Sequence, residues 1–207
     1  MKALIPSLLL ILAPMGAFAA DDAGVGLGFE VGTSYFLPSQ KPGNKGMGNF
    51  FGIDLNLGSV IVGYYFESLN IKLKADDSND AKASQIDCAA NLNELRFIKP
   101  IIKEVAIGLG VGMADVKAKA TVDNGGAPAA GAAAFDTLAP VADIFARITP
   151  ISGGDKVKAA VNVILGYRFI AINSTQPTGT ATVKADFADA IDNLNGFRVG
   201  LSVGIAF

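Results

Sequence analysis

The residues best suited to chemistry in this chain of 207 are six isolated charges: Glu30, Asp54, Asp143, Arg147, Arg168 and Arg198. Each sits in a stretch where apolar side chains recur at every second position, on the face opposite the large apolar ones. Three carboxylates and three guanidiniums can pair electroneutrally, which charges enclosed in a narrow, poorly hydrated interior require. Catalytic chemistry is harder to assemble. The chain has no histidine, which removes a Ser-His-Asp/Glu arrangement and most His-containing metal sites. Cys88 is the single cysteine, so no intrachain disulfide can form and thiol catalysis lacks its usual base. Asp76, Asp77 and Asp80 lack the spacing of a calcium loop and read as a solvated acidic loop. Gly108, Gly110 and Gly112 alternate with Leu109, Val111 and Met113, which is a strand pattern and not a phosphate-binding loop. The expectation is therefore no enzyme, no cofactor and no metal site.

The elements that must position these charges are strands of period two. In the last stretch, Phe197, Val199, Leu201, Val203, Ile205 and Phe207 share one face, while Gly196, Arg198, Gly200, Ser202, Gly204 and Ala206 share the other. Val25 through Leu37 alternates in the same way, as do Val105 to Met113 and Val161 to Phe169. From Leu138 to Ile148 the even positions are apolar, and Asp143 and Arg147 are odd. Two stretches are less regular. The apolar phase changes near Gly58, which predicts a β-bulge, with a turn as the competing reading. Between Gln85 and Phe97, Ile86, Cys88, Ala90 and Leu92 share a face before Leu95 and Phe97 take over. Glu67-Ser68 reads as a tight turn leading into Leu69, Ile71 and Leu73. Within residues 180–194, Val183, Phe187, Ile191 and Leu194 recur at helical spacing and fit a short amphipathic helix, while an extension of the neighbouring strand fits residues 180–187 equally well.

Hydrophobic residues make up 51% of the chain and mean hydropathy is +0.42. Yet beyond the first twenty residues no run approaches the ~18 apolar residues of a spanning helix. High apolar content without such a run suits many short alternating strands. The net charge of −2 leaves no basic footprint for nucleic acid. Residues 1–19 read as a signal peptide: Lys2, an apolar stretch over Ala3–Leu12, and Ala17-Phe18-Ala19 as a small-x-small cleavage site. Residues 20–207 then form one domain.

The pattern predicts eight antiparallel strands. Connectors around residues 38–48, 76–84, 122–136 and 174–194 are long, and those near 67–68, 98–104 and 150–156 are short. Long and short connectors that alternate in this way match transmembrane barrels, whose short turns face the periplasm and whose long loops face outward. A soluble barrel of lipocalin type would need a polar outer face, and here the face opposite the apolar one is largely Gly, Ala and Ser. Tyr35, Tyr64, Tyr65, Phe66, Phe97, Tyr167, Phe169 and Phe207 are candidate interface aromatics.

With its leader, its alternating strands and its terminal Phe207, the chain resembles the small bacterial outer-membrane β-barrels, such as the transmembrane domain of outer membrane protein A and the opacity-type surface proteins. The resemblance implies an all-β, eight-stranded, up-and-down transmembrane barrel in the bacterial outer membrane, without the periplasmic domain of the two-domain members. It implies outer-membrane lipid as surroundings, insertion machinery that reads the closing strand, and an extracellular partner met by the loops. It points to a structural and surface-interaction protein, with a narrow porin-like channel for ions or small solutes as the alternative.

Overall fold

The computed structural model describes residues 25–39, 44–74, 85–121, 133–153, 157–172 and 194–207. Eight strands follow one another: β1 (Gly26–Pro38), β2 (Lys45–Asn56), β3 (Ile61–Lys74), β4 (Gln85–Ile102), β5 (Val105–Thr121), β6 (Ala133–Gly153), β7 (Lys158–Ile170) and β8 (Gly196–Ala206). Each pairs antiparallel with the next, and β8 returns to β1 to close the barrel. The closing ladder runs from Gly28 opposite Ala206 to Pro38 opposite Gly196, and Phe207 N donates beyond it to Leu27 O at 2.9 Å. Closure removes the sheet edges, as a hydrocarbon environment that offers no hydrogen bonds demands. Among the described residues no helix is long and apolar enough to cross a membrane. The leader, Asp76 to Asp80 and residues 180–193 of the helix-or-strand segment lie outside the described residues.

Two expectations are corrected. There is no bulge at Gly58: its φ of 83° lies in the left-handed region that glycine tolerates, and it turns the chain from β2 into β3. Asn56 Oδ1 accepts from Gly58 N at 2.9 Å, and Leu57 N donates to Val60 O at 2.9 Å. Nor is there a turn at Glu67-Ser68, which lies within β3 in an unbroken register from Lys45 opposite Lys72 to Asn56 opposite Ile61. One turn gained and one lost leave the strand count at eight.

The irregular stretch in β4 has a different cause. Its register with β3 is continuous, and with β5 it slips only near Pro100, well away from Asn93. What changes along the strand is the surroundings. Leu95 points outward and is exposed, whereas Leu92, Ala90, Cys88 and Ile86 point inward and are buried. On β3, Tyr64 and Phe66 face out, then Leu69, Ile71 and Leu73 face in. On β5, Ile107, Val111 and Met113 face out, then Val116 and Ala118 pack inside while Lys117 and Lys119 face out. The polarity of the wall reverses without any change in pleat. A spanning strand needs about 9–11 residues, and β4, β5 and β6 have 18, 17 and 21. The excess of β4 and β5 forms a collar with a polar exterior and an apolar core, on the side of the long connectors.

The collar predicts where lipid ends. In a Cys88→Ser background, a spin label at Val111 should collide with dissolved oxygen and one at Lys119 with a water-soluble nickel chelate. Oxygen-dominated collisions at both positions would mean that the reversal does not mark the membrane edge.

Candidate functional site: the lumen charge network

All six charges picked out from the sequence point into the lumen, where the structure sorts them into two groups. Asp143, Arg168 and Arg198 meet at mid-height, joined there by Glu67, Glu94 and Arg96. Glu30, Asp54 and Arg147 meet nearer the short-turn end.

Arg168, on β7, is the hub of the central group. Its Nε donates to Asp143 Oδ1 at 2.9 Å and its NH2 to Asp143 Oδ2 at 2.8 Å, a bidentate pair. The same NH2 lies 2.9 Å from Glu67 Oε2 and 3.1 Å from Glu94 Oε1. Arg96 donates to Glu94 from Nε at 3.0 Å and from NH2 at 2.5 Å. Ser34 donates to the other oxygen of Glu67. Arg198 is held less well: NH1 reaches Asp143 Oδ2 at only 3.4 Å, and NH2 sits 3.0 Å from Glu67 Oε2 without hydrogen-bond geometry. Arg168 is 0% exposed and Arg96 and Arg198 are each 1% exposed.

The lower group is organised by Tyr65. Its hydroxyl lies 2.5 Å from Glu30 Oε2 and 2.9 Å from Asp54 Oδ1, and its single proton serves one carboxylate at a time. Arg147 NH1 donates to Asp54 Oδ2 at 3.1 Å and lies 3.6 Å from Glu30 Oε2. Ser202 and Asn162 donate to Glu30 Oε1, the latter at 3.0 Å. The Tyr65 ring also links the groups, because the Arg96 guanidinium lies over it at 4.0 Å. Glycine makes this possible: a methyl on Gly52 or Gly63 would collide with the Tyr65 ring. Tyr65 thus belongs to the lumen and not to the interface aromatics, because odd residues of β3 face inward.

Beside the lower group lies a cavity of about 450 Å³, lined by Glu30, Asp54, Arg147, Asn162, Lys158 and Phe207 among others. On the other side of the central group the lumen is packed with apolar side chains, including Phe36, Leu69, Ile71, Leu92, Val116 and Ile170. Among the described residues no group of His, Cys, Asp and Glu is placed to hold a metal ion. The face of β8 that bears Phe197, Val199, Leu201, Val203, Ile205 and Phe207 is exposed on the barrel exterior.

Sequence reading missed Glu67, Glu94, Arg96 and Tyr65. For Glu94 and Arg96 the signal was present, since both oppose Leu95 and Phe97 in the alternation that picked out the other six. Glu67 was hidden by the turn assigned at Glu67-Ser68, whereas Tyr65 alternates with Tyr64 and Phe66 but was read as an interface aromatic.

Two stability outcomes follow, both read from urea unfolding of refolded protein in vesicles. Arg168→Ala should cost about 3–5 kcal/mol, since it leaves carboxylates buried without their partner, and Arg198→Ala should cost less. An equal loss would contradict the hub role of Arg168. Gly52→Ala should cost about 1–3 kcal/mol by displacing the Tyr65 ring; an unchanged midpoint would show that the ring has room to move.

No protein-family model matches the chain, and no curated protein sequence does. Solved structures do match. Ail, the attachment invasion locus protein of Yersinia pestis, solved alone and with the heparin analogue sucrose octasulfate, aligns in the latter at 11% identity. That alignment covers 88% of this chain and 99% of that one, with a TM-score of 0.50. A major outer membrane protein of Thermus thermophilus aligns at 13% identity over 87% of this chain and 98% of that one, with a TM-score of 0.49. Neisserial surface protein A aligns at 11% identity over 88% and 95%, with a TM-score of 0.42. The fold assignment rests on the likeness to Ail and on the strand topology. With eight antiparallel strands closed in sequence order, an apolar exterior belt and charges inside, the chain has the fold of the small bacterial outer-membrane β-barrels.

Proposed function

We propose that this protein is a structural and surface-interaction barrel of the bacterial outer membrane, with a closed lumen and loops presented to the outside. One observation carries the reading: the buried network of Arg96, Arg168, Arg198, Glu67, Glu94 and Asp143 spans the lumen, with apolar packing beyond it. An eight-stranded interior is just wide enough to be filled by side chains, and ionic bridges across it oppose a continuous water column. The long connectors leave from the collar, which supports their role as the interacting surface. Ail, which shares the fold, was solved with a sulfated saccharide analogue, so an extracellular anionic partner is a reasonable class to test. No catalytic role is assigned to any residue.

The narrow-channel reading draws on the cavity beside Glu30 and Asp54. It needs that cavity to connect through the central network. Planar-bilayer recording of refolded protein separates the two readings: the closed lumen predicts no steady conductance, and Arg198→Ala, which removes the most weakly held bridge, should raise it. Steady large conductance that Arg198→Ala leaves unaltered would defeat the closed reading.

The closing strand is proposed as the signal that insertion machinery reads, through the exposed Phe197, Val199, Leu201, Val203, Ile205 and Phe207. Deleting Phe207 removes the last hydrogen bond to β1 together with the terminal aromatic ring. The heat-modifiable, folded fraction in outer membranes should fall; an unchanged folded yield would sink the assembly role. Orientation is tested by an impermeant thiol reagent on intact cells carrying Cys88→Ser, where Asn124→Cys should label and Ser152→Cys should not.

A further inference from the structure

We infer that Asp54, Tyr65 and Glu30 form a pH-sensitive latch at the short-turn end of the lumen, in which Asp54 takes up a proton as the medium acidifies and the barrel gains stability. The Tyr65 hydroxyl lies within hydrogen-bond distance of both carboxylates, 2.5 Å from Glu30 Oε2 and 2.9 Å from Asp54 Oδ1. One hydroxyl has one proton to give. While both acids are ionised, the carboxylate that is not served faces a lone pair of the phenol oxygen. A single added proton removes that conflict, because one carboxyl then donates to Tyr65 and Tyr65 donates to the other. The same proton balances the charge, since two carboxylates here meet one guanidinium, that of Arg147.

The remaining contacts decide which carboxyl holds the proton. Glu30 is buried, and its Oε1 already accepts from Ser202 and Asn162, so Tyr65 completes its supply of donors at Oε2. Asp54 accepts from Arg147 NH1 with Oδ2 at 3.1 Å and turns Oδ1 to Tyr65. The proton therefore belongs on Asp54 Oδ1, and the relay runs from Asp54 through Tyr65 to Glu30. Charge reaches this relay from Glu30 on β1, from Arg96 on β4, which lies over the Tyr65 ring, and from Arg147 on β6. Lys158 of β7 and the terminal Phe207 line the adjoining cavity. From β8 comes the neutral Ser202, and from β5 the lumen-facing residues at this end, Ala106 and Gly108, bring no charge. A metal cation would have to settle beside the Arg147 guanidinium, whereas a proton sits on the other oxygen. The cavity also touches Asp54, so that proton can exchange with solution.

The test compares refolded full-length Cys88→Ser protein with the same protein carrying Asp54→Asn, by urea unfolding in vesicles from about pH 5 to about pH 8. Histidine is the side chain that ordinarily titrates in that range, and this chain has none, so a response there reports a group held by the fold. Asparagine reproduces the protonated carboxyl, with its amide donating to Tyr65 and its carbonyl accepting from Arg147. Wherever the folded parent keeps a proton that its unfolded chain has released, parent stability falls as pH rises, by up to about tenfold in the folding constant per pH unit. The variant has no such proton to lose. The ratio of variant to parent folding constants should therefore be smallest at the acid end, grow with pH, and level off once Asp54 ionises in the fold. A ratio constant across the range would overturn the latch, because Asp54 would then be ionised in the folded and unfolded chains alike. Infrared difference spectra of the folded parent on acidification should also show a protonated-carboxyl band that Asp54→Asn lacks. No such band in the folded parent, or its persistence in the variant, would overturn the assignment, and the first of these is read without the variant having to refold.

Discussion

Arg168 donates to carboxylates from three other strands, Asp143 on β6, Glu67 on β3 and Glu94 on β4. A guanidinium sealed from water is tolerable only when its charge is met by the protein, and here carboxylates meet the charge while Arg168 NH1 has no hydrogen-bond partner. That requirement explains much of the interior. Carboxylates must come from across the barrel as well as from the adjacent strand, so the lumen has to be narrow. The wall must be thin where long side chains cross it, which accounts for Gly52, Gly63, Gly108 and Gly110 around Tyr65, Phe145 and Arg96. Aromatic rings then fill the gaps between guanidiniums, as Tyr65 does under Arg96 and Phe50 beside Arg198. Such a network is a weak source of stability compared with apolar packing of equal volume. Its consequence is a unique arrangement, because each charge has few places where it can be neutralised.

A second constraint acts along the barrel axis. Within lipid the wall must be apolar outside, and beyond lipid it must be polar outside, while the pleat keeps alternating without interruption. The β3, β4 and β5 strands meet both demands by exchanging the polarity of their faces: Phe66 out and Leu69 in, Leu95 out and Leu92 in, Met113 out and Val116 in. Beyond that boundary the collar is built on the logic of a soluble barrel. The rejected lipocalin-type reading therefore describes one end of the molecule correctly while failing for the belt.

This exchange also decides what could be read from sequence. Strand number, order and the inward placement of Glu30, Asp54, Asp143, Arg147, Arg168 and Arg198 were legible because period-two alternation holds within any single environment. The β2–β3 hairpin was not. A shift of apolar residues from one parity to the other looks identical whether it comes from a bulge, a turn or a change of solvent. At Gly58 it was a turn, and past Glu67-Ser68 it was the exchange of polar and apolar faces between belt and collar. Misplacing that one turn concealed Glu67, while Tyr65, the other member of the network from β3, was taken for an interface aromatic. Pairing geometry, such as Tyr65 bridging Glu30 on β1 and Asp54 on β2, depends on register between strands, which a single chain's alternation does not encode.

The two ends of the lumen therefore differ in kind. At the short-turn end an open cavity lies beside Glu30, Asp54 and Arg147, with Asp54 and Arg147 only partly buried. At the collar end Phe36, Leu69, Ile71 and Ile170 exclude water. Between them the central group balances three guanidiniums with three carboxylates, whereas the lower group has two carboxylates for one guanidinium. The excess negative charge thus lies at the wetter end, where solvent stabilises it at least cost. A neutral centre, an apolar cap and a hydrated excess charge form a graded interior in which each group sits where its solvation is cheapest. A water-filled pore would not need that gradient, which supports the proposed closed lumen.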